Sequence, residues 1–437
     1  MNALVMIGQL LLGLSLLVFV HELGHYLFAR LFGIRVDKFY LFFDAGGFKL
    51  LHFKIGETEY GIGWIPLGGY CKIAGMVDES MDKESLKKAP QPWEFRSKPA
   101  WQRFFVIIGG VLMNLILGII IFTALLQKQG GYLPTQEVNR YGIYAYPSGR
   151  ALGFKTGDRI IGTHEKAPQR FSDVLPQSVL LGGAVKVERG GKVLWIDIPG
   201  DTYKKLGADT SGFPLFDITN YPTVVKNVAE GSAAESSGLQ AGDRILAVDG
   251  KEAPSFGQFK EFMAERRNDS FLLEIVRNGD TLALAARTDS SGLLGFYTDF
   301  PYTYENYHIG SALRYGTTDA LNLLWTNIRG IGKVMSGQEK ARETLQGPIG
   351  IASVYGSVWN WFRFWYITGM LSLVLAFMNI IPIPGLDGGH LMFTLYEMIT
   401  RRKVSDRVLE GAQMIGMILI VVLFVFVIFN DIGRLLH

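Results

Sequence analysis

Four apolar stretches divide the chain: Ala3 to about Phe28, Phe104 to Leu126, about Trp365 to Ile383, and Ala412 to Phe429. Each is long enough to cross a bilayer as a helix, and backbone in lipid must satisfy its own hydrogen bonds, so few folds remain open to such a chain. An apolar share of 49% is high for a soluble protein of 437 residues and agrees with a membrane protein. The net charge of +3 is small and spread along the chain, which argues against a nucleic-acid partner. The single cysteine, Cys71, excludes an intramolecular disulfide and a Cys-rich zinc module, leaving His, Asp and Glu as protein metal ligands. The first stretch has neither a basic leading region nor a small-residue cleavage site, so it reads as a retained helix.

Lys and Arg set the orientation. No basic residue precedes Arg30, the segment from Arg30 to Arg103 contains twelve, and Arg401, Arg402, Lys403 and Arg407 follow the third stretch. Both basic loops are expected in the cytoplasm, with Lys128 to about Ser357 and both termini on the other, periplasmic side.

The first stretch runs directly into His21-Glu22-Leu23-Gly24-His25. Each charged group at the centre of a membrane helix costs about 2.5–3.5 kcal/mol to insert, so three ionisable residues here point to function. Histidines four apart share a helix face and can hold one Zn²⁺, and Glu22 is placed to act as general base toward a zinc-bound water. A catalytic zinc needs a third protein ligand and an open position. In "NIIPIPGLDGGH", Asn379 to His390, two prolines and three glycines must break the third helix. Both motifs sit toward the cytoplasmic ends of their helices, so Asp387 is the expected third ligand, with His390 an alternative on spacing alone. Asn114 reads as an interhelical hydrogen bond or an aid to substrate passage rather than as a ligand.

Between the second and third helices the chain repeats itself: "GFKTGDRIIGTHEKAPQRFSDV" from Gly153 recurs as "GLQAGDRILAVDGKEAPSFGQF" from Gly238, an offset of 85 residues. Each copy continues into strands with Gly-centred turns. The copies resemble PDZ domains of the bacterial type, which implies extended peptide ligands bound by strand addition. A pair of inert β-rich spacers is the alternative. The stretch from Val36 to Gly75 is aromatic and β-branched with Gly turns, and reads as strands rather than a spanning helix.

The order of HELGH, "IPLGGYCKIAG" (Ile65 to Gly75), two PDZ-like modules, "QGPIGIA" (Gln346 to Ala352) and "NIIPIPGLDGGH" is similar to that of the bacterial RseP branch of the site-2 proteases. The resemblance implies an intramembrane zinc metalloprotease of the bacterial inner membrane that cuts membrane-spanning helices, such as those of anti-sigma factors. It assigns one zinc to His21, His25 and Asp387, the base to Glu22, and substrate holding to Asn379. It also implies that the β region dips into the membrane, where an edge strand near Gly68, Gly69 and Tyr70 pairs with unwound substrate; a loop that only packs on the helices is the alternative.

The expected fold is a polytopic α-helical membrane protein with about four transmembrane helices, a membrane-associated β-sheet and two extracytoplasmic β-rich PDZ-like domains. Its segments are 1–35 (first helix), 36–77 (β region), 78–103 (cytoplasmic or interfacial), 104–127 (second helix), 128–215 and 216–300 (PDZ-like), 301–357 (connecting), 358–396 (third membrane segment), 397–411 (cytoplasmic loop) and 412–437 (fourth helix). The expected partners are single-pass membrane substrates, the lipid bilayer and a peptide ligand of the modules. A non-proteolytic scaffold with a structural zinc is the main rival reading, but such a site needs no glutamate base. A transporter with a midplane ion site is the second, opposed by the lack of a repeat among the membrane helices.

Overall fold

The computed structural model describes residues 2–66, 68–76, 89–163, 167–175, 177–202, 205–206, 214–264, 266–290, 292–337 and 347–436. The segment expected at 78–103 therefore lies outside the described residues as far as residue 88. The chain divides into two units, one made of Met1–Gln129 with His308–His437 and the other of Gly130–Tyr307.

The first unit contains seven helices among its described residues: α1 (Asn2–Leu31), α2 (Ala100–Gln129), α3 (Ile309–Met335), α4 (Pro348–Tyr355), α5 (Trp361–Ile380), α6 (Asp387–Thr400) and α7 (Asp406–Leu436). Four carry windows long and apolar enough to cross a membrane, at Ala3–Leu31, Ala100–Gln129, Trp361–Ile380 and Gly411–Gly433. The third apolar run ends where the prolines demand. A proline lacks an N–H and clashes with the preceding turn, so α5 stops at Ile380 and the chain restarts as α6 at Asp387. Helix α6 continues to Thr400, into the loop expected from 397, and Glu397 on that extra turn pairs with Arg103 of α2 at 2.5 Å.

Segment 301–357, expected only to connect, contains the 27-residue helix α3. Polar residues on every turn interrupt its apolar run, so its signal is periodicity rather than hydropathy. Gly316 of α3 sits against Thr123 of α2, and Ala320 packs with Phe122 and Leu373. The fourth span is tied down near its end. The buried Asp431 carboxylate accepts the N–H groups of Gly347, Ile349 and Gly350 at 2.9–3.0 Å, neutralising the otherwise unpaired donors that open α4.

Between α1 and α2 lies a four-stranded sheet of β1 (Val36–Leu41), β2 (Lys49–Ile55), β3 (Thr58–Gly63) and β4 (Tyr70–Ile73), in spatial order β2-β3-β1-β4. β4 runs antiparallel to β1 and, among the described residues, has no strand on its other side. Phe39 of β1 rests edge-on against Phe19 and Tyr26 of α1, with ring centres 5.7 and 5.6 Å apart, which fixes the sheet to the first helix. Leu50, Leu51, Phe53 and Ile55 on β2 are exposed, an apolar surface suited to lipid rather than water.

The second unit holds a sheet of β5 (Arg159–Gly162), β6 (Gly183–Arg189) and β7 (Lys192–Ile198), and another of β8 (Arg244–Val248), β9 (Lys251–Glu252), β10 (Ser270–Arg277) and β11 (Asp280–Arg287), ordered β9-β8-β10-β11. Each sheet has its own core, one around Phe154, Ile160, Val185 and Val187, the other around Leu239, Ile245, Leu273 and Ile275. At the expected boundary, 215/216, the short strand Phe216–Asp217 pairs with Tyr144–Ala145, and Phe216 is buried in the first core. The reason is that the chain leaving the first module returns to it before entering the second.

The sequence repeat is also a repeat of buried charge. Arg189 grips Asp158 through two hydrogen bonds of 2.6 and 2.7 Å and reaches the Gly153 carbonyl. Arg277 does the same to Asp243, at 2.7 Å twice, and to Gly238. Burial works to raise the Asp243 carboxyl, but hydrogen bonds from Arg277 and the Gln240 N–H hold it below the usual carboxylate range. Its stabilising contribution is present above the unfolded value near 4 and is lost as pH falls through the depressed folded value. Asp243→Asn is expected to lower the melting temperature of this unit in the full-length protein by roughly 5–10 °C at pH 7. The deficit should begin to close below about pH 4, and calorimetry at both values tests it; a deficit independent of pH would contradict the charge account.

Candidate metal centre

His21 and His25 lie one turn apart on α1, and the restart of the chain at α6 brings Asp387 to them. The His21 Nε2 to Asp387 Oδ2, His25 Nε2 to Asp387 Oδ2 and His21 Nε2 to His25 Nε2 separations are 3.1, 3.5 and 3.2 Å. A tetrahedral zinc with bonds of about 2.0–2.1 Å sets its donor atoms roughly 3.3 Å apart, so this triangle has the right edge. His25 Nδ1 is 2.8 Å from the Val106 carbonyl, which can only accept. Nδ1 therefore carries the proton and Nε2 presents its lone pair to the centre. Asp387 Oδ2 is buried, and no donor is aligned to hydrogen-bond to it despite the nearby imidazoles. With both imidazoles in the tautomer that bares Nε2, these three atoms could hold one cation between them.

Of the two expected third ligands, Asp387 lies in this group and His390 does not. That placement depends on small residues. A Cβ on Gly388 would lie 2.0 Å from the Ile381 carbonyl oxygen, and one on Gly389 would lie 2.7 Å from Pro384 Cα, so only glycines let the start of α6 fold back onto the Pro-Ile-Pro turn. α1 and α2 likewise cross backbone to backbone: a Cβ on Gly24 would meet the Gly109 carbonyl oxygen at 2.2 Å, and one on Gly110 would meet His25 Nε2 at 2.5 Å. Reading the sequence missed Gly24, Gly109 and Gly110; a Gly-Gly pair opposite the glycine of HELGH is the signal that would have found them.

Glu22 stands beside the triangle without belonging to it. Its carboxylate accepts the Cys71 N–H of β4, and a Cβ on Gly69 would lie 3.5 Å from Glu22 Cγ. Of the four expected substrate residues, Gly69 thus lies against Glu22, just before β4 begins. Tyr70 opens β4 and donates its hydroxyl hydrogen to Asp44 at 2.8 Å, and Gly68 approaches Phe43. Asn379, at the end of α5, has its amide nitrogen 3.3 Å from His21 Nε2, on the side of the ring that faces the centre. Asn114 of α2 is 3.4 Å from His21 Nδ1, on the opposite side, so its interhelical partner is the first of the paired histidines itself.

Known proteins resemble this chain over nearly its whole length. A "Putative zinc metalloprotease" of Treponema pallidum is 28% identical over 463 residues, covering 99% of each chain. A "Regulator of sigma E protease" of Salmonella typhi is 29% identical over 457 residues, 98% of each chain, and a "Putative zinc metalloprotease" of Borreliella burgdorferi is 26% identical with 98% coverage of both. With the family model for Peptidase family M50 matching residues 9–423, the chain belongs to that family of peptidases.

Proposed function

We propose that this M50 peptidase is an intramembrane zinc endopeptidase that cuts the spanning helices of single-pass membrane proteins, such as anti-sigma factors, in a bacterial inner membrane. The observation that supports it most is the junction of three elements at one point: a His–His–Asp triangle, a glutamate beside it, and a sheet edge with no second strand on its outer side among the described residues. His21, His25 and Asp387 would hold one zinc, which when bound supplies a Lewis acid able to bring the pKa of water to about 7. Glu22 takes a proton from water at its carboxylate and passes it to the leaving amine. The Asn379 amide donates to the carbonyl oxygen of the bond being cut.

A helical substrate hides its carbonyls in its own hydrogen bonds, so it must unwind first, and in lipid the freed groups need new partners. The side of β4 away from β1 would offer them, next to the Cys71 N–H that Glu22 already accepts. Gly69 and Tyr70 flank the Glu22 contact, and a strand added there would bring its backbone past the base. The modules of the second unit are PDZ-like docking or size-selecting domains on the extracytoplasmic side, as the Lys and Arg distribution supports. The scaffold reading gains nothing from the structure, because a structural zinc would not need Glu22 at its side.

Synthetic single-spanning substrates in vesicles test this. Helix-breaking Gly or Pro near the cut site should raise the rate and a run of Leu should lower it. N-methylation of alternate substrate residues should cost about tenfold in kcat/KM each, while the residues between tolerate it, because only every second N–H of an added strand points to its neighbour. Equal tolerance at every position would rule out strand addition.

A further inference from the structure

The environment of His21 leaves one polar group unexplained. His25 has its tautomer settled by the Val106 carbonyl, whereas His21 has only Asn114 at its rear nitrogen. Asn114 is 1% exposed within α2, and its Oδ1 is buried without a partner while its Nδ2 faces His21 Nδ1 at 3.4 Å. An amide nitrogen facing that ring nitrogen would donate to it, which would put the ring proton on Nε2, aimed into the triangle. That arrangement is incompatible with ligation through Nε2. The two ends of a carboxamide exchange by a half-turn about its terminal torsion and are nearly the same shape. After the half-turn, the orphaned Oδ1 accepts the Nδ1–H of His21 and Nε2 is left with its lone pair toward the centre.

We propose that Asn114 is a positioning residue for the metal: its side-chain carbonyl accepts the His21 Nδ1–H and holds the ring in the tautomer and orientation that ligate through Nε2. This rests on the zinc reading above. The two ligating histidines are then matched, each braced from behind by an acceptor on α2, a backbone carbonyl for His25 and an amide carbonyl for His21. The buried asparagine is not simply glue between helices. The interhelical bond at this position, from the Ser372 hydroxyl at 2.7 Å, goes to the Asn114 backbone carbonyl and does not use its side chain.

That separation supplies the test. Zinc affinity is measured by chelator competition on the full-length detergent-solubilised protein, together with the visible spectrum of its cobalt(II) form, so no readout depends on catalysis. Asn114→Leu, similar in size but without an acceptor, is expected to weaken zinc about 10–100-fold and alter the cobalt spectrum, whereas Asn114→Asp, which keeps an acceptor, and Ser372→Ala, which removes only the interhelical bond, should stay within about threefold of wild type. Wild-type affinity and spectrum in Asn114→Leu overturn the proposal. So does an equal loss in Ser372→Ala, which would make the role one of packing, or an equal loss in Asn114→Asp. A wild-type protein that binds no zinc would overturn the metal reading and this inference with it; zinc-loaded wild type with unaffected Asn114→Leu overturns this inference alone.

Discussion

Glu22→Gln is expected to keep one zinc per chain and to lose peptide hydrolysis by about 10²–10⁴-fold, the usual worth of a positioned general base. The two effects separate because Glu22 stands outside the His21–His25–Asp387 group. Glutamine has the same shape and its carbonyl oxygen still accepts the Cys71 N–H, so the seam between α1 and β4 stays closed. What is lost is the capacity to carry a proton. Elemental analysis and cleavage of a single-spanning substrate in vesicles check both halves. Persistent hydrolysis would remove Glu22 from the mechanism, and loss of zinc would make it a ligand or a brace instead of a base.

Gly110→Ala should be as damaging by a different route. Its methyl group would lie 2.5 Å from His25 Nε2 and 2.6 Å from His21 Cε1, on the ligating side of one ring and against the other. His25 cannot swing aside without giving up the Val106 carbonyl, and α2 cannot retreat without opening the backbone contact between Gly24 and Gly109. Misplacing catalytic groups by an ångström costs on the order of 10²-fold in rate, and zinc retention should fall with it. Gly8→Ala, on the same α1 and with open space around its position, is the control and should change neither. If Gly110→Ala held zinc and cleaved normally, the two helices would have to be free to part at this crossing.

Much of this architecture was legible in the residues because lipid leaves a chain so few choices. Long apolar runs there must be helices, so four spans could be counted, and paired prolines must interrupt one, so the break before Asp387 could be placed to within a few residues. Histidines four apart on a helix must share a face, and β-branched and aromatic stretches with glycine turns marked the sheet of β1 to β4. The duplicated Gly-Asp turn announced two related modules. In each case the decisive interaction is local, within about one helical turn or one strand pair.

The rest required partners distant in sequence. Helix α3 escaped notice because its signal is a period rather than an apolar run, and the surface it covers, around Thr123 and Leu373, is distant in sequence. That Asp387 rather than His390 lies beside the two histidines turned on the rotation of α6, which the packing of Gly388 and Gly389 on the Pro-Ile-Pro turn decides. A glycine in a membrane helix is commonplace, and nothing local distinguishes Gly110 until α1 lies against it. Asn114 looked like ordinary interhelical glue until its neighbour proved to be His21. The sequence by itself determined which segments are long and apolar enough to cross a membrane and which residue types can carry metal chemistry, since both follow from the energetics of single segments in lipid. Which donors converge, and which groups hold them there, was decided only by the tertiary structure, because side-chain directions on separate helices are set by the crossing distance and rotation that packing imposes.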